Sequence, residues 1–235
     1  GDEGKGGIVD YLAERYDAGL FLRYNGGSQA LHHVVRPDGM VHGFRQIGSG
    51  TLACPNARTY LSRFMVVDPF FLHEEINELS VQKGLKYYRG RIIIDRDCIV
   101  VTPFHRLINQ MLEISRFGNK LGSCGRGIGE AMKDWANFGE DVLLVGDLLD
   151  KQKTLRKLKH LLVAKVDLAE QLVDEASPYI YELTLKLRDK LGQLYGYSTC
   201  LDRLSQQYYD LVGFGFLKLG DSKILKRLLN KTETV

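Results

Sequence analysis

The sequence begins with Gly1-Asp2-Glu3-Gly4-Lys5-Gly6-Gly7, a glycine-rich stretch that runs directly into an amphipathic helical pattern. A glycine-rich loop that opens a helix lets backbone N–H groups approach an anion closely, and the helix dipole favours negative charge there. Lys5 adds a point charge that can contact two phosphates, whereas Asp2 and Glu3 suit a bound Mg²⁺ or a proton transfer. The stretch therefore predicts a nucleotide site that also carries out chemistry.

The pattern of apolar residues over residues 1–150 predicts an α/β fold with a mostly parallel sheet. Strands are predicted at 20–24, 63–67, 91–94 and 99–101. They alternate with helices that begin at Asp68-Pro69 and Thr102-Pro103, where a capping residue precedes a proline. Strands that alternate with helices are typical of parallel sheets. Because phosphate loops normally follow a buried strand, the loop at residue 1 indicates a fragment that lacks at least its first strand.

The second part of the chain, residues 151–235, has a different pattern. Leucines and other apolar residues recur at helical spacing from Leu155 to Leu211, and no alternation of strands and helices continues. The sequence therefore predicts two parts, an α/β nucleotide-binding part over residues 1–150 and a helical subdomain over residues 151–235.

Composition narrows the class of protein. A net charge of +3 over 235 residues gives little support for a nucleic-acid partner, which would need clustered Lys and Arg. The apolar runs are too short for a transmembrane helix, so no membrane association is predicted. The four cysteines are widely separated, which favours free thiols in a reducing cytoplasm over a disulfide or metal framework.

Two further glycine clusters follow the opening loop, at residues 23–33 (RYNGGSQALHH) and 122–129 (GSCGRGIG). Each alone fits a structural turn as well as a binding site. The same caution applies to His32, because a histidine beside an apolar residue is more often packed than catalytic. The opening loop is not an ordinary Walker A motif, since Lys5 is followed by Gly6 and not by Ser or Thr.

Taken together and in order, the clusters resemble the adenylosuccinate synthetase family. The stretches that carry the resemblance lie at residues 1–15, 23–32, 48–52 (GSGTL), 66–69 (VVDP), 125–129 (GRGIG) and 145–150 (VGDLLD). The resemblance covers the first 150 residues well and fits the family's helical insertion loosely. It implies a parallel-sheet fold related to the phosphate-loop GTPases.

The resemblance also implies an activity. The family uses GTP and Mg²⁺ to join IMP to L-aspartate, giving adenylosuccinate, GDP and phosphate. By this resemblance Asp2 is the general base at N1 of the purine, and His32 is the general acid or electrophile that assists phosphoryl transfer to the purine O6. Lys5 supplies charge neutralisation, as phosphoryl transfer requires.

The resemblance further assigns binding roles. Nucleotide and phosphate contacts fall on Gly1, Asp2, Glu3, Gly4, Lys5, Gly6, Gly7, Leu31, His32 and His33. Purine substrate contacts fall on Gln29, Ala30, Ser123, Cys124 and Arg126. The metal ligands are Asp2 and, through its backbone carbonyl, Leu31.

The chain departs from the family pattern at several of these positions. The family has Asn-Ala-Gly-His-Thr where residues 29–33 read Gln-Ala-Leu-His-His, and a pair of threonines where Ser123 and Cys124 stand. Glu130 replaces a proline, and the arginine that reaches across the family's dimer has no clear match, so a homodimer is left open. The family's C-terminal half, with its aspartate and guanine sites, is absent from these 235 residues.

Three alternatives remain at this point. The altered 29–33 segment is compatible with a related synthetase that acts on a 2-amino purine nucleotide such as dGMP. The missing half and Cys124 are compatible with a protein that binds nucleotide without catalysis. A partitioning or signalling NTPase is less favoured, because it leaves residues 125–129 and 145–150 unexplained.

Overall fold

The computed structural model describes residues 4–82, 85, 90–116, 122–176, 181–213 and 217–232. The strands in these ranges are β1 (Leu20–Arg23), β2 (Gly26–Gly27), β3 (His32–Val35), β4 (Val41–Phe44), β5 (Arg58–Leu61), β6 (Met65–Val67), β7 (Ile92–Asp95), β8 (Ile99–Val100) and β9 (Lys218–Gly220). The helices are α1 (Lys5–Tyr16), α2 (Pro69–Asn77), α3 (Pro103–Ser115), α4 (Ile128–Phe138), α5 (Lys151–Asp174), α6 (Tyr181–Ser198), α7 (Leu201–Gly213) and α8 (Ser222–Thr232). None of the described helices combines the length and apolar content that crossing a membrane would need.

Three chain segments run side by side in the same direction: β1 with β2, β5 with β6, and β7 with β8. Each segment contributes one strand to each of two successive sheets. A four-stranded sheet has the order β1-β5-β7-β9, and a three-stranded sheet has the order β2-β6-β8. Every pair within these two sheets is parallel, so the predicted α/β fold with mostly parallel strands is confirmed. The carboxyl ends of β2, β6 and β8 consequently meet at one edge, where ligands bind in open parallel sheets.

The core is continuous between the sheets and the helices. β7 buries all four of its residues and β8 buries both, as expected for strands covered on two faces. The same apolar cluster joins Ile94 on β7 and Phe104 on α3 to Leu158 on α5 and Tyr208 on α7. The helical part therefore packs on the sheet through apolar contact, which is the dominant stabilising term.

The four predicted strands are present within one or two residues of their predicted limits. The 63–67 prediction was wrong at its start, because Arg63 and Phe64 lie in a turn that Met65 closes by donating its N–H to the Ser62 carbonyl at 2.8 Å. The sequence did not predict β5, which is central in its sheet. Its four residues carry no alternating pattern, because a central strand of a parallel sheet is covered on both faces and only Arg58 is exposed.

Two other strand features were also not predicted. β3 and β4 form an antiparallel hairpin that carries the two neighbouring histidines. In the last third of the chain, helices α5 to α8 agree with the helical prediction, but β9 pairs with β7 at the edge of the four-stranded sheet. A three-residue strand between helical segments is too short to leave a periodic signal.

The helix starts follow their capping residues as predicted. The Asp68 carboxylate accepts a hydrogen bond from the Phe71 N–H at 3.3 Å, and Pro69 takes the first helical position of α2. At α3, the backbone N–H of Thr102 donates to His105 Nδ1 at 2.9 Å, so a histidine completes the capping box.

A buried charged network ties three helices together. His105 Nε2 on α3 lies 2.8 Å from Asp134 Oδ2 on α4, and Lys165 Nζ on α5 lies 2.5 Å from Asp134 Oδ1. All three side chains are at most 5% exposed. Burial disfavours the charged carboxylate, but the hydrogen bonds from His105 and Lys165 hold the pKa of Asp134 below its usual value of 3.8. Its stabilising contribution is therefore present above pH 3.8 and is lost as the pH falls through the lower folded-state value.

Replacement of Lys165 by methionine should destabilise the fold by about 3 kcal/mol, because it leaves a buried carboxylate with one partner fewer. Urea unfolding would measure the effect. Lys159→Met on the exposed face of the same helix is the matched control and should change stability by less than about 0.5 kcal/mol. Equal stabilities for the two variants would show that the network contributes nothing.

Candidate functional site

The described part of the opening loop leads into the first turn of α1. Gly4 precedes the helix with φ of 64°, in the left-handed region that glycine adopts without strain. Lys5 is the first helical residue, and Gly6 and Gly7 follow in the same turn. The first N–H groups of a helix have no partner within it. This end of α1 thus carries the donors that the predicted phosphate site requires.

Gly6 lies against the backbone of β3. A Cβ atom at Gly6 would lie 2.5 Å from the His33 carbonyl oxygen and 2.9 Å from the His32 carbonyl carbon. Neither backbone atom can move away without displacing the hairpin, so only glycine fits at this position. The contact fixes the first turn of α1 beside the strand that carries both histidines.

Two adjoining clefts open at this contact. The first, of about 490 Å³, is lined by Gly4, Lys5, Gly6 and residues 29–33. The second, of about 590 Å³, is lined by residues 20–26 together with Lys5, Ala30, His32 and Ser49. Lys5, Ala30 and His32 face both clefts. A larger cleft of about 690 Å³ lies at the other end of α1 and is lined by none of the predicted site residues.

Two oppositely charged side chains, Arg23 and Glu75, support the second cleft through hydrogen bonds to the backbone. The Arg23 guanidinium donates to the carbonyl oxygens of Arg45 and Ile47 at 3.1 and 3.2 Å. The Glu75 carboxylate accepts from the N–H groups of Arg45, Gln46 and Ile47 at 2.8, 2.9 and 3.4 Å. The 45–47 segment is therefore held from both sides, directly before the GSGTL stretch. Burial lowers the pKa of Arg23, and the Glu75 charge opposes that shift.

His32 lies half-buried at the junction of the two clefts. Burial lowers the pKa of its imidazole below 6.5, and the positive charges of Arg23 and Lys5 lower it further. At neutral pH the ring is therefore mainly uncharged, with one N–H donor and one acceptor. A neutral ring in this position can donate a hydrogen bond to a phosphate oxygen.

The second and third glycine clusters meet at the carboxyl end of β2. A Cβ atom at Gly27 would lie 2.7 Å from Ile128 Cδ1, at the start of α4, and 2.9 Å from Gln29 Oε1. The Gln29 amide therefore lies beside the loop that precedes α4. The motifs are about a hundred positions apart in sequence, and the parallel register of β2, β6 and β8 brings them together.

The loop of the third cluster packs on α3. Gly127 has φ of 76°, and a Cβ there would lie 2.6 Å from the His105 carbonyl carbon. Asn109 holds the loop at two points, because its Nδ2 donates to Ser123 Oγ at 3.1 Å and its Oδ1 accepts from the Gly127 N–H at 3.3 Å. The Arg126 guanidinium lies over the Phe71 ring at 4.1 Å. Cys124 and Arg126 line a separate cleft of about 450 Å³.

Most of the predicted site residues fall into two neighbouring groups. Gly4 to Gly6 and residues 29–33 line the first cleft, while Ser123, Cys124 and Arg126 belong to the loop before α4. Gly1, Asp2 and Glu3 lie outside the described residues. Arg106, Phe71 and Glu75 were not predicted from the sequence. The only sequence signal for Arg106 is its position, one turn after the predicted start of α3.

Leu31 was predicted as a carbonyl ligand despite standing where the family has glycine. Asp17 is the only described non-glycine residue with positive φ, so Leu31 has an ordinary backbone conformation. Its side chain lies over Gly43 of β4, where a Cβ would come within 2.7 Å of Leu31 Cδ1. The two predicted ligands, the Leu31 carbonyl and the Asp2 carboxylate, are oxygen donors of the type that Mg²⁺ prefers, so their chemistry fits the ion. No cluster of three His, Cys, Asp or Glu side chains suited to a metal occurs in the described ranges.

The fold and these clefts define an α/β protein with a glycine-rich helix start at the edge of a parallel sheet. The adenylosuccinate synthetase family model matches residues 1–209. Adenylosuccinate synthetase from Desulforamulus reducens is 32% identical over 212 residues, covering 90% of this chain and 46% of the relative. The Neisseria gonorrhoeae enzyme of the same name is 36% identical over 192 residues, covering 82% of this chain and 43% of the relative.

A solved structure of a protein with this family name has the same fold over most of this chain. The structure of fully ligated adenylosuccinate synthetase from Plasmodium falciparum superimposes with a TM-score of 0.63 at 21% identity, covering 93% of this chain and 48% of that one. The chain therefore belongs to the adenylosuccinate synthetase family, as the order of the motifs indicated. It spans about half the length of these relatives.

Gly6→Ala should destabilise the protein by about 1–3 kcal/mol, because the added methyl group overpacks against the β3 backbone. Gly7→Ala is the control, since a Cβ at Gly7 meets nothing within 4 Å. That variant should be neutral or more stable by up to about 1 kcal/mol, as expected for alanine in a helix. Thermal unfolding would measure both variants, and equal stabilities would contradict the packing argument.

Proposed function

We propose that the protein joins IMP to L-aspartate at the expense of GTP, forming adenylosuccinate, GDP and phosphate. The observation that carries the proposal is the shared cleft of Lys5, His32 and residues 29–31 at the start of α1. A phosphate bound at this helix end would lie within reach of both the lysine and the histidine. Membership of the synthetase family supports the assignment.

The proposed reaction has two steps. Asp2 takes the N1 proton of the purine, and O6 attacks the γ-phosphorus of GTP, so that GDP leaves. The aspartate amine then attacks C6, a C–N bond forms and the C6–O6 bond breaks, so that phosphate leaves and the amine nitrogen gives up one proton. Phosphorylation is needed because it converts a poor leaving oxygen into a good one.

The residues of this chain have distinct tasks in that sequence. Lys5 and the N–H groups at the start of α1 neutralise phosphate charge, and His32 donates a hydrogen bond to the transferring group. Gln29 and Ala30 contact the purine, and Ser123, Cys124 and Arg126 contact the rest of the nucleotide. Mg²⁺, when bound, would be held by the Asp2 carboxylate and the Leu31 carbonyl and would add further charge neutralisation.

We also propose a division of tasks along the chain. Residues 1–150 hold the nucleotide and purine contacts, and residues 151–235 form a helical subdomain that packs against them. The remaining substrate contacts of a complete synthetase, including those to aspartate, are not assigned to these residues.

The test is an adenylosuccinate-forming assay on the full-length protein with GTP, Mg²⁺, aspartate and IMP. Asp2→Ala should abolish turnover, because N1 would keep its proton and O6 would remain a weak nucleophile. Asp167→Ala, an exposed position on α5, is the matched control and should leave the rate unchanged. Near-normal turnover in the Asp2 variant would overturn the mechanism.

A second candidate is a synthetase for a 2-amino purine nucleotide. The observation that favours it is the altered purine segment, in which Gln29 is longer than the family's asparagine and exposed beside Gly27. Parallel assays with dGMP in place of IMP separate the two substrates. Binding of GTP and IMP without product from either purine would instead indicate a protein that only binds nucleotide.

A further inference from the structure

The amino ends of three neighbouring strands carry cations on one side of the four-stranded sheet. Arg58 opens β5, Arg91 directly precedes β7 and Lys218 opens β9. Arg58 and Arg91 each precede a residue of the first pair between β5 and β7, so both point to the same face. Lys218 pairs with Ile93, two positions after Arg91, and therefore points to that face as well.

Contacts between their neighbours show that these three cations lie close together. The Arg91 guanidinium donates to Asn56 Oδ1 at 3.0 Å, and Asn56 stands two residues before Arg58. A Cβ atom at Gly90 would lie 3.8 Å from Lys218 Cε, so the lysine side chain lies beside the residue that precedes Arg91. The amino-terminal edge of the sheet, remote from the candidate site at the carboxyl edge, is therefore basic.

Helix α8 lies across the same face of the sheet and runs toward this basic edge. Leu228 of α8 packs in one apolar cluster with Tyr60, which is two residues after Arg58 on β5. At the start of the helix, the Tyr60 hydroxyl donates to the Asp221 carbonyl oxygen at 3.1 Å. Near its other end, Leu229 lines a cleft together with Asn56. The end of α8 thus approaches the strand ends that carry the cations.

The outward side of α8 is basic too. Lys223, Lys226 and Arg227 are exposed, and their spacing of three and four residues places them together, opposite the apolar side that packs on the sheet. The sequence of α8 contains neither an acidic nor an aromatic residue. We call the combined surface the basic face. It consists of Arg58, Arg91, Lys218, Lys223, Lys226 and Arg227.

The charges of the basic face are not neutralised by ion pairs. Within the part of the chain that the structure describes, none of its six side chains forms an ion pair with a carboxylate. Two carboxylates adjoin the face. Asp221 accepts from the Ile224 N–H at 2.8 Å at the start of α8, and Asp17 lines the same cleft as Leu229. The cations outnumber them, so a strong positive potential remains.

We propose that the basic face binds the phosphodiester backbone of a nucleic-acid duplex, a function separate from nucleotide ligation. The net charge of +3 did not indicate it, because the six cations come from distant segments and acidic residues elsewhere offset them. The face offers no aromatic ring on which the bases of a single strand could stack. The apolar side of α8 is packed on the sheet, so it is not available to enter a membrane surface.

The dimensions of the face suit such a backbone. Helix α8 has 11 residues and is about 16 Å long, whereas the phosphates of one strand of a duplex recur about every 3.4 Å along its axis. Several phosphates can therefore contact the face at once. Because no contact to a base is implied, we expect binding that is independent of base sequence and strongly dependent on salt.

The test is fluorescence anisotropy of labelled DNA and RNA duplexes of mixed sequence, titrated with the full-length protein at several salt concentrations. With six phosphate contacts on DNA, log Kd should rise with log salt at a slope of about 5. Replacement of Lys223, Lys226 and Arg227 by glutamine should lower the slope to about 3 and weaken binding about 10²-fold at 0.1 M salt. Glutamine is a good helix former, so α8 should remain folded, which thermal unfolding would check.

Two further variants make the test specific. Replacement of Arg156, Lys159 and Lys186 by glutamine removes the same charge from exposed positions on α5 and α6 and should leave binding unchanged. Lys223→Arg combined with Lys226→Arg keeps the charge and should retain the affinity. Equal weakening by the two glutamine variants would show an effect of net charge alone and overturn the inference.

The remaining arms identify the partner. Binding of either duplex through the α8 cations supports the inference, and a difference between DNA and RNA shows which duplex is preferred. Poly-glutamate at equal charge concentration should compete at least about tenfold less well, because its charges are less dense than those of a duplex. Equal competition would assign the face to acidic proteins instead, and no binding of either duplex at 0.05 M salt would also overturn the inference.

Discussion

The close approach of α1 to β3 at Gly6 is the contact on which the arrangement of the candidate site depends. It sets the start of a helix directly against the strand that carries His32, and both clefts open beside it. Gly27 and Gly127 have the same property, since each lies where a Cβ would overlap a neighbouring element. One glycine in each of the three clusters is thus a contact point between elements. Structural and functional interpretations of these motifs are therefore compatible, because the close contacts are what place the polar groups.

Buried charges hold the segments that the glycines bring together. Glu75 accepts three backbone N–H groups of the 45–47 segment, and Arg23 donates to two carbonyl groups of the same segment. Asp134 takes donors from two other helices in the same way. A buried carboxylate is costly unless its hydrogen bonds are complete, so loss of any of these donors would destabilise the fold. Arg23 lines the second cleft, and His105 of the Asp134 network lies against Gly127 in the loop before α4.

The sequence predicted those parts of the fold that leave a local signal. The caps at Asp68 and Thr102, the apolar β7 and the long helices are all of this kind. β5 could not be predicted, because a strand covered on both faces shows no alternating pattern and its place between β1 and β7 is set by pairing with distant parts of the chain. The same holds for the candidate site. Lys5 and His32 stand in recognisable motifs, whereas Glu75 and Arg106 matter through contacts with residues distant in the sequence. In the sequence, nothing distinguishes Glu75 from other helical glutamates. Its importance follows from its hydrogen bonds to the 45–47 segment.

The change of sequence pattern near residue 150 does not separate the helical part from the candidate site. β9 returns to the sheet beside β7, and Tyr197 of α6 packs edge-on against Phe104 of α3 with ring centres 5.1 Å apart. The Asp134 network links α5 to α3 and α4, which lie beneath the 122–127 loop. The position of α6 relative to Arg106 and Arg126 is therefore fixed by apolar and ionic contacts on two sides. Because these contacts run from α5, α6 and β9 to α3, α4 and β7, the helical part packs directly against the elements that carry the 122–127 loop.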